Sequence, residues 1–367
     1  RKLLQTLSLL QSGASYETLK EFNPHLPPEP VKPSSPDEAR FSWKRKTDDE
    51  KHEAKLKYRA ANAEYQIAYE KWRLRSAVRS APEQFNATLR ELERRGLVQY
   101  EIEVKRYDLH PVVRGIASDR MDNDETNAVG SRVVDHFSSR QHDPFENADN
   151  LRDLEIGIQT VATLTRIGEF ERARIAFLGE LVDALFFNLM AFDEALQLIR
   201  PFFQDGWDGP VSASGSAAQS QLLTCAGIAM GKSDKVNAQK LYERALLLTI
   251  EKGSSLSARA NLSNLTSILR DRGKLGSADR LLALNLDLAE AIGDRQSVFI
   301  VSLALYVSAR TRGSLELADE HWEKLDRLGR DWTRASYRAG GAEVARAYDL
   351  FWRGRLDQQK LTVTERL

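Results

Sequence analysis

The chain is 367 residues long, enough for two or three domains, and 42% of it is hydrophobic, which excludes wholesale disorder. Its 53 Lys and Arg balance 53 Asp and Glu, so it is not a globally basic nucleic-acid binder, and its single cysteine, Cys225, excludes an intramolecular disulfide and fits a reducing, cytoplasmic compartment. No apolar run nears the roughly 20 residues of a membrane-spanning helix, and six scattered histidines in no ligand spacing argue against a metal.

From Arg1 to about Asn23 the pattern is helical, with Leu3, Leu7 and Leu10 on one face. PHLPPEPVKPSSP then excludes helix and central strand. The charged stretch that follows has no Pro or Gly, and Tyr58, Tyr65 and Trp72 recur at heptad spacing, which predicts one long amphipathic helix over 48–79. Its aromatic stripe reads as packing against a neighbouring domain. Its Lys/Arg face reads, less simply, as a surface for nucleic acid or a partner.

Leu89 and Leu92 mark another helix, closed by Gly96 as its cap. LVQYEIEV alternates like a strand, KR turns, and YDLH returns. Pro111 suits the first turn of a new helix. Helices followed by a two-stranded wing and a further helix form a winged-helix layout, split into 1–27 and 81–120 by an insertion over 28–80, with a linker over 121–150. The expected fold is therefore mainly α, with a winged helix first and an α-solenoid over 151–367.

The solenoid rests on an internal repeat. DKVNAQKLYERAL, GKLGSADRLLALNL and GSLELADEHWEKL align with Ala238, Ala278 and Ala318 at 40-residue intervals. Four residues on stand Tyr242, Leu282 and Trp322, five before stand Ser233, Gly273 and Gly313, and Gly354 continues the series one residue late. GEFERARIAF (168–177) and AFDEALQLI (191–199) read as earlier, shorter copies. This resembles the tetratricopeptide repeat in a long form, in which a small residue lets two helices approach and the hairpins stack. In that register Gly231-Lys232-Ser233 is a hairpin turn and not the end of a phosphate-binding loop. The first Gly of G-x-x-x-x-G-K-[ST] is replaced by Ala226, and the residues ahead are helix-like.

RYDLHPVVRGIASDRM, placed behind a winged helix and before repeats, resembles the MHD segment of STAND ATPases, the NB-ARC class of signal-transducing switches. The resemblance implies that His110 holds the position whose imidazole reaches the diphosphate of ADP in the closed state. Leu109 stands for the family's Met and Pro111 for its Asp. It implies no catalysis by these residues themselves and an ATPase core ahead of Arg1 that carries ADP or ATP. It further implies a protein or peptide trigger on the repeats, and homo-oligomerisation on activation in antiviral defence or transcriptional control. Gln221, Asn261, Asn264, Ser302 and Arg310, on the first helices of the regular repeats, are the candidate trigger contacts. Two alternatives stay open. One is a winged-helix DNA-binding regulator that uses Arg90, Arg94 and Arg95; the other is a plain repeat scaffold.

Overall fold

The computed structural model describes residues 1–33, 47–209, 211–212 and 215–330. Gly354 and the stretch from 331 onward lie outside the described residues. The chain is mainly helical, with one small three-stranded sheet, and divides into two compact units.

The first unit comprises Arg1–His142 and Glu155–Glu169. Helix α1 (Lys2–Leu9) leads to strand β1 (Ala14–Ser15) and helix α2 (Tyr16–Glu21). After the insertion come α4 (Ser76–Arg94), β2 (Val98–Glu101), β3 (Arg106–Leu109) and α5 (Pro111–Asp119). The expected pair of strands is present, with Tyr100 opposite Tyr107 and their rings 4.7 Å apart. Sequence reasoning missed the third strand: β1 pairs antiparallel to β3, so the order is β1-β3-β2. Gly13 allows this close approach, since a Cβ there would lie 2.4 Å from the Tyr107 carbonyl oxygen. Leu3, Leu7 and Leu10 bury their shared face with Leu19, Phe85, Leu89 and Val98 in one core.

The insertion helix α3 (Asp48–Arg73) starts at a capping box of Thr47 and Glu50 and stops at Arg73, short of the expected 79. Its aromatic stripe meets the proline-rich stretch on both sides of the expected boundary at 27/28. Trp72 is buried and donates from Nε1 to the Pro27 carbonyl at 3.1 Å, and Tyr65 donates to Glu29 at 3.3 Å.

Two boundaries differ from expectation. The stretch 121–150, read as a linker, contains a 16-residue helix α6 (Asn123–Ser138), capped by Asp122, which supplies Val133 and Phe137 to the first core. Helix α7 (Glu155–Arg166), expected to open the repeats, belongs to the first unit. Its face is polar and meets the end of α1. Gln159 accepts from the Gln11 amide at 2.8 Å, and Arg166 donates to the Leu9 carbonyl.

The second unit comprises Asp143–Leu154 and the described residues from Phe170 on. It opens irregularly, with α8 (Phe170–Ala176), two π-helical turns broken at Gly179, and α9 (Phe192–Ile199). Six helices follow in series, each packed on the next: α10 (Ser216–Met230), α11 (Lys235–Glu251), α12 (Ser255–Asp271), α13 (Leu275–Ala291), α14 (Arg295–Thr311) and α15 (Leu315–Arg330). Ala238, Ala278 and Ala318 are fully buried, as the 40-residue alignment predicts. The turns add a finer period, since Gly253, Gly273, Gly293 and Gly313 all have φ near +70° and close a helix every 20 residues. Among the described residues no helix is long and apolar enough to cross a membrane.

Candidate functional site

His110 sits where the sheet hands over to helix α5. It is the N-cap residue, with Pro111 at the first helical position, and its Nδ1 accepts from the Val112 amide at 3.3 Å. A ring nitrogen that accepts must lack a proton, so the neutral imidazole carries its hydrogen on Nε2. The residue is exposed, which leaves a donor at the mouth of a helix N-terminus, where anions are favoured.

The junction is held from behind by Arg114, one turn along α5. One guanidinium nitrogen donates to the carbonyls of Leu7 at 2.8 Å and Leu10 at 2.6 Å, and the other pairs with the Asp108 carboxylate. Asp108 in turn accepts from the Leu109 amide at 2.7 Å. Arg106 on the same strand pairs with Glu155 at 2.5 Å. Sequence reasoning passed over Arg114. The available signal was its place in VVRG, one turn after the cap, where a cation would oppose the helix N-terminus unless other groups engaged it. Beside this junction lies a cavity of about 610 Å³ lined by Leu4, Leu92, Leu97, Val113 and Ile116, with Arg95 and Arg120 at its rim. Val112 and Ile116 are 62% and 48% exposed, so helix α5 shows apolar side chains to solvent.

On the helix that a DNA reader would use, Arg90 is exposed, while the other two arginines are engaged. Arg94 and Arg95 both donate to Glu91, at 2.8 Å and 2.6 Å. These two guanidinium hydrogen bonds hold the Glu91 carboxyl down to about 2.

The five repeat residues divide by burial. Gln221 is exposed, and Asn264 and Arg310 are half-buried. Asn261 and Ser302 lie in the interior at 2% and 0% exposure, so they do not face a ligand. Asn261 instead accepts from Thr224 at 2.7 Å, which ties α12 to α10. Polar type and helical register suggested a groove lining, but Asn261 serves a helix–helix contact and the Ser302 hydroxyl is buried without a hydrogen-bond partner among the described residues. A groove of about 540 Å³ does run between α12 and α14, floored by Leu275 and Leu282, with Ile300 and Ala304 on one wall and Ser263, Ser267 and Arg270 on the other. Arg270 escaped sequence reasoning, although it stands 40 residues before Arg310 in the same helical position.

Gly231-Lys232-Ser233 is the turn between α10 and α11, and helix rather than strand precedes it. Gly227 has a packing role, because a Cβ there would lie 2.8 Å from the Tyr242 ring. The neighbouring Cys225 is buried, and burial pushes its thiol up to about 12, so it offers no thiolate at neutral pH. Among the described residues no three His, Cys, Asp or Glu side chains converge as a metal site. No protein-family model matches this chain, and no curated protein matches it in sequence.

Proposed function

We propose that this chain is the regulatory and sensing region of a STAND-type ATPase switch in the cytoplasm. The first unit acts as a winged helix that holds the ADP-bound, inactive state. The second acts as an array of tetratricopeptide-like hairpins that takes a protein trigger. The observation that carries the reading is the place of His110. It is an exposed imidazole donor capping the helix that directly follows β3, in a unit with the order helix, strand, helix, insertion helix, helix, strand, strand. The exposed apolar face of α5 adds support, since it offers surface for an ATPase core to cover. Trigger binding to the repeats would release that core, let ATP replace ADP, and permit oligomerisation, in defence or in transcriptional control. The engagement of Arg94 and Arg95 by Glu91 speaks against DNA reading by α4.

The test uses the intact protein with its ATPase core. His110→Ala removes one hydrogen bond to a charged group, worth roughly 1.5–3 kcal/mol. It is expected to cut ADP retention about ten- to a hundredfold and to raise basal signalling, as read by the nucleotide content of the purified protein and by output without trigger. Unchanged ADP retention would reduce His110 to a helix cap.

A further inference from the structure

The insertion helix α3 is 26 residues long and carries two stripes on opposite faces. The aromatic one is accounted for: Trp72 is buried against the Pro27 carbonyl and Tyr65 reaches Glu29. Tyr69 stacks between them, with ring centroids 5.8 Å and 5.6 Å away. The other stripe is aliphatic and bare. Leu56, Ala60, Ala63, Ile67, Glu70 and the capping residue Leu74 follow one another at steps of four, three, four, three and four residues. Leu56, Ile67 and Leu74 are 51%, 59% and 58% exposed, and both alanines are exposed as well. This spacing is the seam of a coiled coil, with Ala60, Ile67 and Leu74 at its a positions and Leu56, Ala63 and Glu70 at its d positions. On a helix of 3.6 residues per turn the seam lies on the side away from Tyr58, Tyr65 and Trp72, so the packing that holds α3 leaves it open.

The charges beside the seam decide what can lie on it. Lys57, Glu64 and Lys71 hold the e positions, and His52, Arg59, Gln66 and Arg73 the g positions. A second α3, parallel and in register, sets each g residue against the e residue five places on in its partner. Arg59 then meets Glu64 on both flanks of the pair. Both side chains are exposed, and neither has an ion pair among the described residues. Gln66 meets Lys71 without conflict, and His52 meets Lys57, which Glu53 of its own helix engages at 2.6 Å. The antiparallel alignment that puts Leu56 on Leu74 does the reverse, because it sets Arg59 against Arg73 and Lys57 against Lys71. Glu70 fills one d layer and pairs with Arg73 of its own helix at 3.0 Å; a polar layer of this kind fixes register at a cost in stability. The helix carries six acidic and six basic residues, with Glu64 and Glu70 at the seam itself, which disfavours a nucleic-acid strand or an anionic membrane there.

We propose that the outer face of α3 binds α3 of a second copy of this chain as a short parallel coiled coil, with Leu56, Ile67 and Leu74 in the seam and Arg59 on Glu64 across it. The pairing uses the insertion alone, so it goes beyond the switch reading and does not depend on it. With three large aliphatic layers, two alanine layers and one glutamate layer, the dimer is a weak one that forms as the chain is concentrated.

Sedimentation velocity of the whole chain over a wide range of concentration reads the pairing. The parent should pass from the mass of one chain to that of two as concentration rises. Ile67→Lys puts a charge into the seam and should weaken the dimer about tenfold or more. Glu70→Leu should strengthen it by about the same factor. Arg59→Glu and Glu64→Arg should each weaken it about three- to tenfold, and the two together should restore it, since the parallel pair is rebuilt with its signs exchanged. All four positions are exposed, and the helical signal and thermal midpoint of each variant establish that it is folded. The proposal is overturned by a parent that stays a single chain at every concentration, by a dimer indifferent to Ile67→Lys, or by charge reversals that fail to compensate each other. The switch reading is decided separately, by ADP retention in the intact protein.

Discussion

Helix α1 stops at Leu9 because Leu10 turns to extended backbone; its amide still reaches the Leu7 carbonyl at 3.4 Å, and the chain's turn leaves these end carbonyls room for donors from outside the helix. Arg114 supplies those donors from α5 and uses its remaining nitrogen on Asp108. One planar fork thereby joins the end of a helix, the last strand and the helix that His110 caps. The side chains of Arg114 and Asp108 are only 20% and 29% exposed, so removing one leaves the other partly desolvated and unpaired. Arg114→Met is expected to cost about 3 kcal/mol of stability and to loosen the His110 cap, as read by urea denaturation and by amide exchange at Val112. Arg114→Lys keeps the charge but cannot reach three oxygens, so it should recover only a minor part. A Met variant as stable as the parent would show that water satisfies these carbonyls equally well. The place of His110 at a helix start was legible because Pro111 follows it. Arg114 was not, since its partners at Leu7 and Leu10 are backbone carbonyls more than a hundred residues away and leave no trace in side-chain pattern.

The four inner helices of the array, α11 to α14, are each 17 residues long and end in one way. Each of α11, α12, α13 and α14 closes with a left-handed glycine two residues after its last helical residue. The residue after that glycine donates back to the helix, as Lys274 does to the Leu269 carbonyl at 2.8 Å and Ser314 does to the Ala309 carbonyl at 2.9 Å. The 40-residue repeat was legible because fully buried alanines admit no bulk, so they recur without drift. The 20-residue period of Gly253, Gly273, Gly293 and Gly313 was equally present but hidden, because the alignment used only every second turn. Residue chemistry at these turns gives a paired expectation. Gly273 has φ +72°, so Gly273→Ala should cost about 1–2 kcal/mol, and Gly273→Asn less, since Asn tolerates that conformation. Gly276, three residues on, lies in the first turn of α13 with open space around its Cα, so Gly276→Ala should stabilise by about 0.5–1 kcal/mol. Urea midpoints with unchanged slope check both signs. Destabilisation by Gly276→Ala would mean that the helix start needs its glycine for another reason. The tight-contact glycines were the least legible of all. Gly130 sits inside α6 with Ile167 against it, since a Cβ there would come within 2.2 Å of that side chain.

The whole chain is not cut where its sequence pattern changes. Residues 1–142 build the first unit, 143–154 join the second, 155–169 return to the first, and the remainder belongs to the second. The reading that opened the repeats at 151 followed helical pattern, and α7 is indeed a helix; what decides its membership is which carbonyls its polar face satisfies. Gln159 receives the Gln11 amide and donates to Ser12, Thr163 and Arg166 both donate to the Leu9 carbonyl, and Glu155 holds Arg106. Val161 and Leu164 are buried as well, so α7 brings apolar area along with its hydrogen bonds. A fragment ending at 150 keeps every strand and the His110 cap yet loses all of these partners. It should therefore be less stable than a fragment ending at 169 by about 3 kcal/mol or more, at roughly 1 kcal/mol per lost hydrogen bond before any apolar burial is added. Thermal denaturation followed by circular dichroism compares the two fragments, and amide exchange at Gln11 reports the specific bond to Gln159. If the shorter fragment melted at the same temperature with equal protection at Gln11, α7 would be a passenger on the first unit, and the boundary near 151 that the repeat pattern suggests would be the physical one.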